Sequence, residues 1–153
     1  MAANTTARAD VVAKVKAVLV ARKAASPTLL RAIYNARPGS FPETPCAYIA
    51  GRSETINYTG QVRQRVFTGL EVVIVDTLID AIETEDRMDV LIDLLVDDFW
   101  NATPFYAGGG QVLLGSITDA DVVLTGEQAV TYRGAVLGFG NPANPTFATE
   151  GRP

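Results

Sequence analysis

Five aspartates in the second half of the chain are spaced most like a chemical site. Asp86, Asp89, Asp93 and Asp97 recur at intervals of three and four residues, and Asp98 lies beside the last. That spacing places the four on one side of a helix, where they span about 16 Å. They therefore do not converge on one ion, and no EF-hand type of loop surrounds them. We expect no metal or catalytic site here, but a helix face that is solvated or that faces a lumen or a partner.

The residues best suited to catalysis are scarce in this sequence. It contains no histidine and a single cysteine, Cys46. Histidine is the commonest general base, nucleophile activator and zinc ligand, so its absence weighs against an enzyme. Cys46 has no histidine to activate it and no second cysteine for an internal disulfide. We expect a buried structural thiol, no catalytic residue and no cofactor.

Residues 108–110 are three consecutive glycines, which invites comparison with a phosphate-binding loop. Such a loop follows a strand, opens a helix and carries a lysine, as in GxxxxGK[ST]. Here the glycines follow a predicted helix and lead into a predicted strand at 111–116, so nucleotide binding is not expected. A small ligand-binding or enzymatic α/β domain with a site near these glycines stays open as an alternative.

A buried strand and an amphipathic helix form the predicted scaffold. Residues 72–75 are Val-Val-Ile-Val, which is typical of a strand buried on both faces. Residues 85–100 predict a helix, because apolar residues recur there at spacings of three and four. Thr84 is its expected N-cap. The apolar stripe consists of Met88, Leu91, Ile92, Leu95 and Phe99.

The remaining segments predict further elements in chain order. Residues 8–23 predict a first helix, and residues 29–34 one or two further helical turns. Residues 37–45 contain three prolines and predict an extended connector. Strands are predicted at 46–50, 53–58, 120–124 and 129–139, the last two joined by a hairpin loop at 125–128.

A hairpin that turns at residues 59–61 is the second candidate site. Residues 62–76 would span about 50 Å if fully extended, so part of this strand is expected to project beyond the sheet. No local core requires the charged and aromatic residues of this hairpin. We expect either a solvated hairpin or an arm that docks on a neighbour. Reversing the charges of Arg63 and Arg65 is expected to change stability little. The candidate interface residues are Arg52, Glu54, Tyr58, Arg63 and Arg65.

Length and composition indicate one globular domain. The chain has 153 residues, of which 48% are apolar and 20% charged. Residues 1–140 are expected to form the domain and residues 141–153 an extended C-terminal tail. The net charge of −4 argues against a surface that grips DNA. No membrane-spanning run or signal peptide is recognisable, so we expect the chain to stay in the cytosol of the cell that makes it.

Four segments resemble the tail terminator proteins of long-tailed phages, the lambda-type and related head–tail joining families. They are PCAYIAGR at 45–52, YTG at 58–60, RVFTGLEVVIV at 65–75 and DRMDVLIDLL at 86–95. The similarity extends over residues 8–140. It implies an α/β (α+β) fold in which a mixed, mostly antiparallel sheet is packed by an N-terminal helix and a central amphipathic helix.

The resemblance also implies a structural role in the virion. A homo-oligomeric ring, hexameric in this family, caps the tail tube, ends tube polymerisation and provides the head–tail joining interface. The implied partners are further copies of the chain, the tail tube protein and the head–tail connector protein, while DNA passes through without specific binding. No membrane is involved, and assembly takes place in the host cytoplasm. Other neck components, such as a head-closure or connector protein, and a tail-tube subunit are the alternatives within this class.

Overall fold

The computed structural model describes residues 7–77, 81–102, 110–124 and 130–151. Within these ranges the chain forms two helices and nine strands in mixed and antiparallel sheets, which is an α+β fold. The predicted fold class is therefore confirmed. Neither helix has the length and apolar character that would let it cross a membrane.

The strands form two sheets. The described strands are β1 (Ala32–Tyr34), β2 (Cys46–Ala50), β3 (Glu54–Thr59), β4 (Val62–Phe67), β5 (Glu71–Asp76), β6 (Gly110–Gln111), β7 (Leu114–Leu124), β8 (Val130–Phe139) and β9 (Thr146–Gly151). A five-stranded sheet has the order β1-β2-β5-β8-β7, and a four-stranded sheet has the order β3-β4-β9-β6. β1 runs parallel to β2, and the other described pairings are antiparallel.

Helices α1 (Ala7–Ala25) and α2 (Ala81–Asn101) cover one face of the five-stranded sheet. The predicted stripe of α2 is confirmed, since four of its five residues are buried and Ile92 packs against the same core. β5 is the central strand, and all of Val72, Val73, Ile74 and Val75 are buried as predicted. Alternation sends Val72 and Ile74 towards the helices and the other two to the opposite face.

The Pro-rich connector covers that opposite face. Phe41 from the connector stacks on Tyr48, with ring centroids 6.1 Å apart, and meets Tyr132 edge-on at 5.1 Å. Together with Cys46 and Val75 these rings form a second, smaller core. The connector thus explains how β5 is buried on both sides without a second helical layer.

The predicted long strand at 62–76 is two strands that belong to different sheets. β4 and β5 are separated by residues 68–70, and their partners β3 and β2 are separated by residues 51–53. β2–β3 and β4–β5 together form a two-stranded ribbon. This ribbon bends where Gly51 adopts a φ of 67° and its Cα approaches the carbonyl of Gly69. The predicted overhang is therefore not a free arm, because β4 pairs with β3 on one side and with β9 on the other.

Gly51→Ala should destabilise the protein strongly. An added Cβ would lie 1.8 Å from the Gly69 carbonyl oxygen, so the backbone of the bend must move. Gly60→Ala is a matched control, because Gly60 has a similar φ of 59° with nothing within 4 Å of the added Cβ. The control should cost about 1–2 kcal/mol for the left-handed conformation alone, and Gly51→Ala clearly more. Urea unfolding measures both, and equal losses would show that the close approach does not matter.

Three other predictions differ from the structure. Residues 29–34 hold β1 rather than helical turns, because Arg31 N–H donates to the Pro45 carbonyl at 2.8 Å and the segment pairs with β2. Thr84 lies inside α2, and its hydroxyl donates to the Thr77 carbonyl at 2.9 Å instead of capping the helix. Residues 114–124 form one continuous strand where two shorter strands were predicted.

The predicted C-terminal tail is also part of the domain. The Asn141 side chain accepts hydrogen bonds from the N–H groups of Ala143 and Asn144 and so closes a turn. The chain then returns as β9, which lies between β4 and β6 in the four-stranded sheet. The tail prediction was wrong because β9 carries few apolar residues. The predicted loop at 125–128 lies outside the described residues.

Candidate assembly surface

Charged residues on the four-stranded sheet form a cluster that the topology brings together from three strands and α1. Arg65 on β4 lies between two carboxylates. Its guanidinium donates to Glu54 of β3 at 2.6 and 2.9 Å and to Glu150 of β9 at 3.0 Å. Arg63 also pairs with Glu150, and Arg8 of α1 donates to Glu54 at 2.7 Å. The cluster therefore joins α1 to one face of the sheet.

The cluster is shielded from solvent. The Glu150 side chain is fully buried and that of Glu54 is 5% exposed. Hydrogen bonds that Arg65 donates to Glu54 hold the pKa of Glu54 below its usual value despite burial, and the same bonds raise the pKa of Arg65. Every carboxylate of the cluster thus has a guanidinium partner. This arrangement stabilises the sheet, and reversing the charges of Arg63 and Arg65 is no longer expected to be harmless as it would be at exposed positions.

Acid should weaken the fold through Glu54. Because its folded-state pKa is lowered, its contribution is fully present above the ordinary value of 4.5 and is lost as the pH falls through the lower folded value. As the pH falls below about 4.5, we expect the free energy of unfolding to decrease. The decrease should be less steep for Glu54→Gln than for wild type. Urea unfolding at a series of pH values measures this. Identical slopes for the two proteins would contradict the assignment.

The structure brings only part of the predicted hairpin site together. Glu54, Arg63 and Arg65 belong to the cluster. Arg52 lies apart and donates to the Asn35 carbonyl, and Tyr58 lies near the hairpin end with 69% of its surface exposed. Sequence reasoning missed the cluster members Arg8 and Glu150. Thr146, Ala148 and Glu150 are all buried, but the segment has no apolar periodicity, so no local sequence signal pointed to Glu150.

The end of the hairpin exposes apolar side chains. Ile56 is 44% exposed and Val62 43%, beside the more exposed Tyr58. Ile56 is paired with Arg65 and Tyr58 with Arg63, so both lie on the face that carries the cluster. The charges of this face are thus engaged with one another, while its apolar end is open to solvent.

The opposite face of the four-stranded sheet carries no charged residue within the described ranges. Register and alternation place there side chains that are apolar or uncharged and at least partly exposed. One fifth of the chain is charged, and depletion of charge is a property of the centres of protein interfaces. This uncharged sheet face consists of Thr55, Asn57, Thr59, Val62, Gln64, Val66, Gln111, Phe147 and Thr149.

The predicted acidic helix face lies on the solvent side of α2. Asp86, Asp89, Asp93 and Asp97 are all exposed, and Asp98 instead turns towards α1, where Arg22 donates to both of its oxygens at 2.7 Å. Among the described residues no group of three or more acidic or cysteine side chains is placed to hold a metal ion. The face is a band of negative charge along the solvent side of α2.

Two further candidates from the sequence can be located. Cys46 is buried as expected, and burial raises the pKa of its thiol to about 12, so the thiol stays protonated at neutral pH. Of the three glycines at 108–110, the first two lie outside the described residues and Gly110 begins β6.

Comparison with known proteins adds no assignment to this geometry. No protein-family model matches the chain, and no curated protein matches it. The surfaces of the hairpin, the four-stranded sheet and α2 are therefore the basis for a functional proposal.

Proposed function

We propose that this chain is a subunit of a ring that caps the tail tube of a long-tailed phage. The ring ends tube polymerisation and provides the head–tail joining interface in the neck of the virion. One observation carries the proposal: the β3–β4 hairpin exposes apolar residues at its end while its charged residues are paired internally. The sequence resemblance to tail terminator proteins supports the same role.

The hairpin end is suited to docking because docking there displaces water from apolar groups and breaks no ion pair. Tyr58 offers a large exposed ring, a residue type that often dominates interface energies. Val62, also at the hairpin end, belongs to the uncharged sheet face, so apolar side chains are exposed on both sides of the hairpin. We assign both to contact with the tail tube, the partner that a terminating ring must cover.

The acidic face of α2 is consistent with a channel that DNA traverses. Its four exposed aspartates repel phosphates at short range, and the chain as a whole carries a net charge of −4. A surface of this kind does not hold DNA. We place the end of this face that carries Asp86 and Asp89 at the ring lumen, where DNA must move without binding.

A tube-growth assay tests the role directly. Tail tube protein from the same phage is polymerised with and without this chain, and tube lengths and ends are recorded by negative-stain electron microscopy. We expect shorter tubes whose ends carry a ring with a central hole. Tubes of unchanged length would overturn the terminator role, and rings that form without stopping growth would favour another neck component.

Replacing the apolar hairpin end should abolish capping without unfolding the protein. Ile56→Thr with Tyr58→Ser removes exposed apolar surface, so stability should change by less than about 1 kcal/mol, while binding to tube ends should weaken by about tenfold or more. Ile117→Thr is the matched control, because Ile117 is a β-branched residue 46% exposed on a strand of the other sheet. Capping by the hairpin variant at wild-type concentrations would show that the hairpin is only a solvated loop.

A further inference from the structure

The two helices carry opposite charges. α1 contains five basic residues and one acidic residue, whereas α2 contains seven acidic residues and one basic residue. Within one subunit the helices lie side by side and share the Arg22–Asp98 ion pair. The remaining charges make one side of the helical layer basic and the other acidic.

These two sides face opposite edges of the five-stranded sheet. α1 packs over the β1 edge and α2 over β5 and β7, the strand at the other edge. A groove of about 510 Å³ beside α1 is lined by Ala9, Val12 and Ala13 and by the cations of Lys16 and Arg52. This basic groove therefore combines apolar and positively charged side chains.

The outer side of α2 carries a complementary groove. It measures about 720 Å³, and Val96, Leu113 and Leu114 line it beside Asp97. Trp100 stands at this groove with 85% of its surface exposed. Tryptophan is among the residue types enriched at the energetic centres of interfaces. Asp93 lies on the same helix, one turn before Asp97. The Trp100 groove therefore combines apolar side chains with the negative charge of Asp97.

We propose that the basic groove of α1 in one subunit receives Trp100 and the acidic edge of the Trp100 groove from a second copy of the chain. Charge complementarity identifies the occupant, since Lys16 and Arg52 line one groove and Asp97 lines the other, with the exposed Asp93 one helical turn before it. The two grooves lie at opposite edges of the same subunit, so the contact is heterologous and repeats from copy to copy, as ring formation requires. The inference rests on the proposed function and names the contact that builds its ring.

Trp100 provides a direct readout, because it is the sole tryptophan of the chain. Mass and tryptophan emission are measured together over a concentration series of the purified protein. We expect the emission maximum to move to shorter wavelength in step with assembly, because the indole leaves water. Rings that assemble with unchanged emission would overturn this contact while leaving the proposed ring intact. A chain that stays monomeric and also fails to cap tubes would overturn both.

A charge exchange tests the pairing itself. Lys16→Glu and Asp97→Lys should each weaken self-association about tenfold or more, because like charges then oppose each other across the contact. The chain carrying both changes should recover assembly, since each contact again joins opposite charges. Asp86→Lys makes the same charge change on α2 away from the Trp100 groove and should leave assembly unchanged. Failure of the double variant to recover, with circular dichroism showing it folded, would overturn the pairing.

Discussion

Leu95→Asp should leave the protein unfolded at neutral pH. Leu95 is fully buried in the stripe of α2 and packs in the core formed by both helices and the five-stranded sheet. The change removes about 1.5–3 kcal/mol of apolar burial and adds the cost of a carboxylate without a partner in an apolar site, several kcal/mol more. Domains of this size have about 5–15 kcal/mol of stability in total, so little or none remains.

Circular dichroism and urea unfolding measure this outcome. Val90→Asp is the matched control, because it adds the same charge to the same helix at a position that is 49% exposed. The control should stay folded and lose about 1 kcal/mol or less. Leu95→Ala should fall between them, with a loss of about 2–5 kcal/mol. A cooperative, wild-type-like transition for Leu95→Asp would mean that α2 does not pack as described.

The sequence predicted the elements whose signals are local. The stripe of α2 and the four apolar residues of β5 are short-range periodicities, and burial follows from them directly. The acidic face of α2 was predicted for the same reason, since it is what remains of the helix once the stripe is removed. Asp98 departs from that face because its partner, Arg22, is 76 residues away.

The features that sequence reasoning missed depend on distant pairing. The bend in the β2–β3 and β4–β5 ribbon needs the close approach of Gly51 to Gly69, which no local sequence pattern predicts. β9 was read as a tail because its buried positions are threonine, alanine and glutamate rather than large apolar residues. Its burial becomes visible only when β4 is placed beside it.

The hairpin illustrates how a missed strand changes a functional prediction. Without β9, Arg63 and Arg65 looked like exposed charges offered to a partner. With β9 in place, both pair with Glu150, and the hairpin instead exposes the apolar side chains of Ile56, Tyr58 and Val62. The expectation of a docking hairpin is retained as a proposal, but the residues that would carry it change from the arginines to Ile56 and Tyr58.

Arg65→Ala should destabilise the protein by about 3–5 kcal/mol, the cost of breaking a buried ion pair by removing one partner. Arg65 is 15% exposed, and both carboxylates it contacts are almost fully buried. Its removal leaves Glu150 with Arg63 alone, and Glu54 with Arg8, which is 50% exposed. Each buried carboxylate then keeps only its more exposed arginine partner, so its incompletely compensated charge, together with the lost contacts, accounts for the expected loss.

A double-mutant cycle separates these contributions. Glu150→Gln removes a negative charge but keeps the shape of the side chain, so Arg65→Ala should cost less in that background than in wild type. Arg31→Ala, at an exposed position between α1 and β1, is the control for removing an arginine and should change the free energy of unfolding by no more than about 0.5 kcal/mol. A loss below about 1 kcal/mol for Arg65→Ala would place the cluster among ordinary surface ion pairs. The hairpin would then be anchored by its backbone pairing alone.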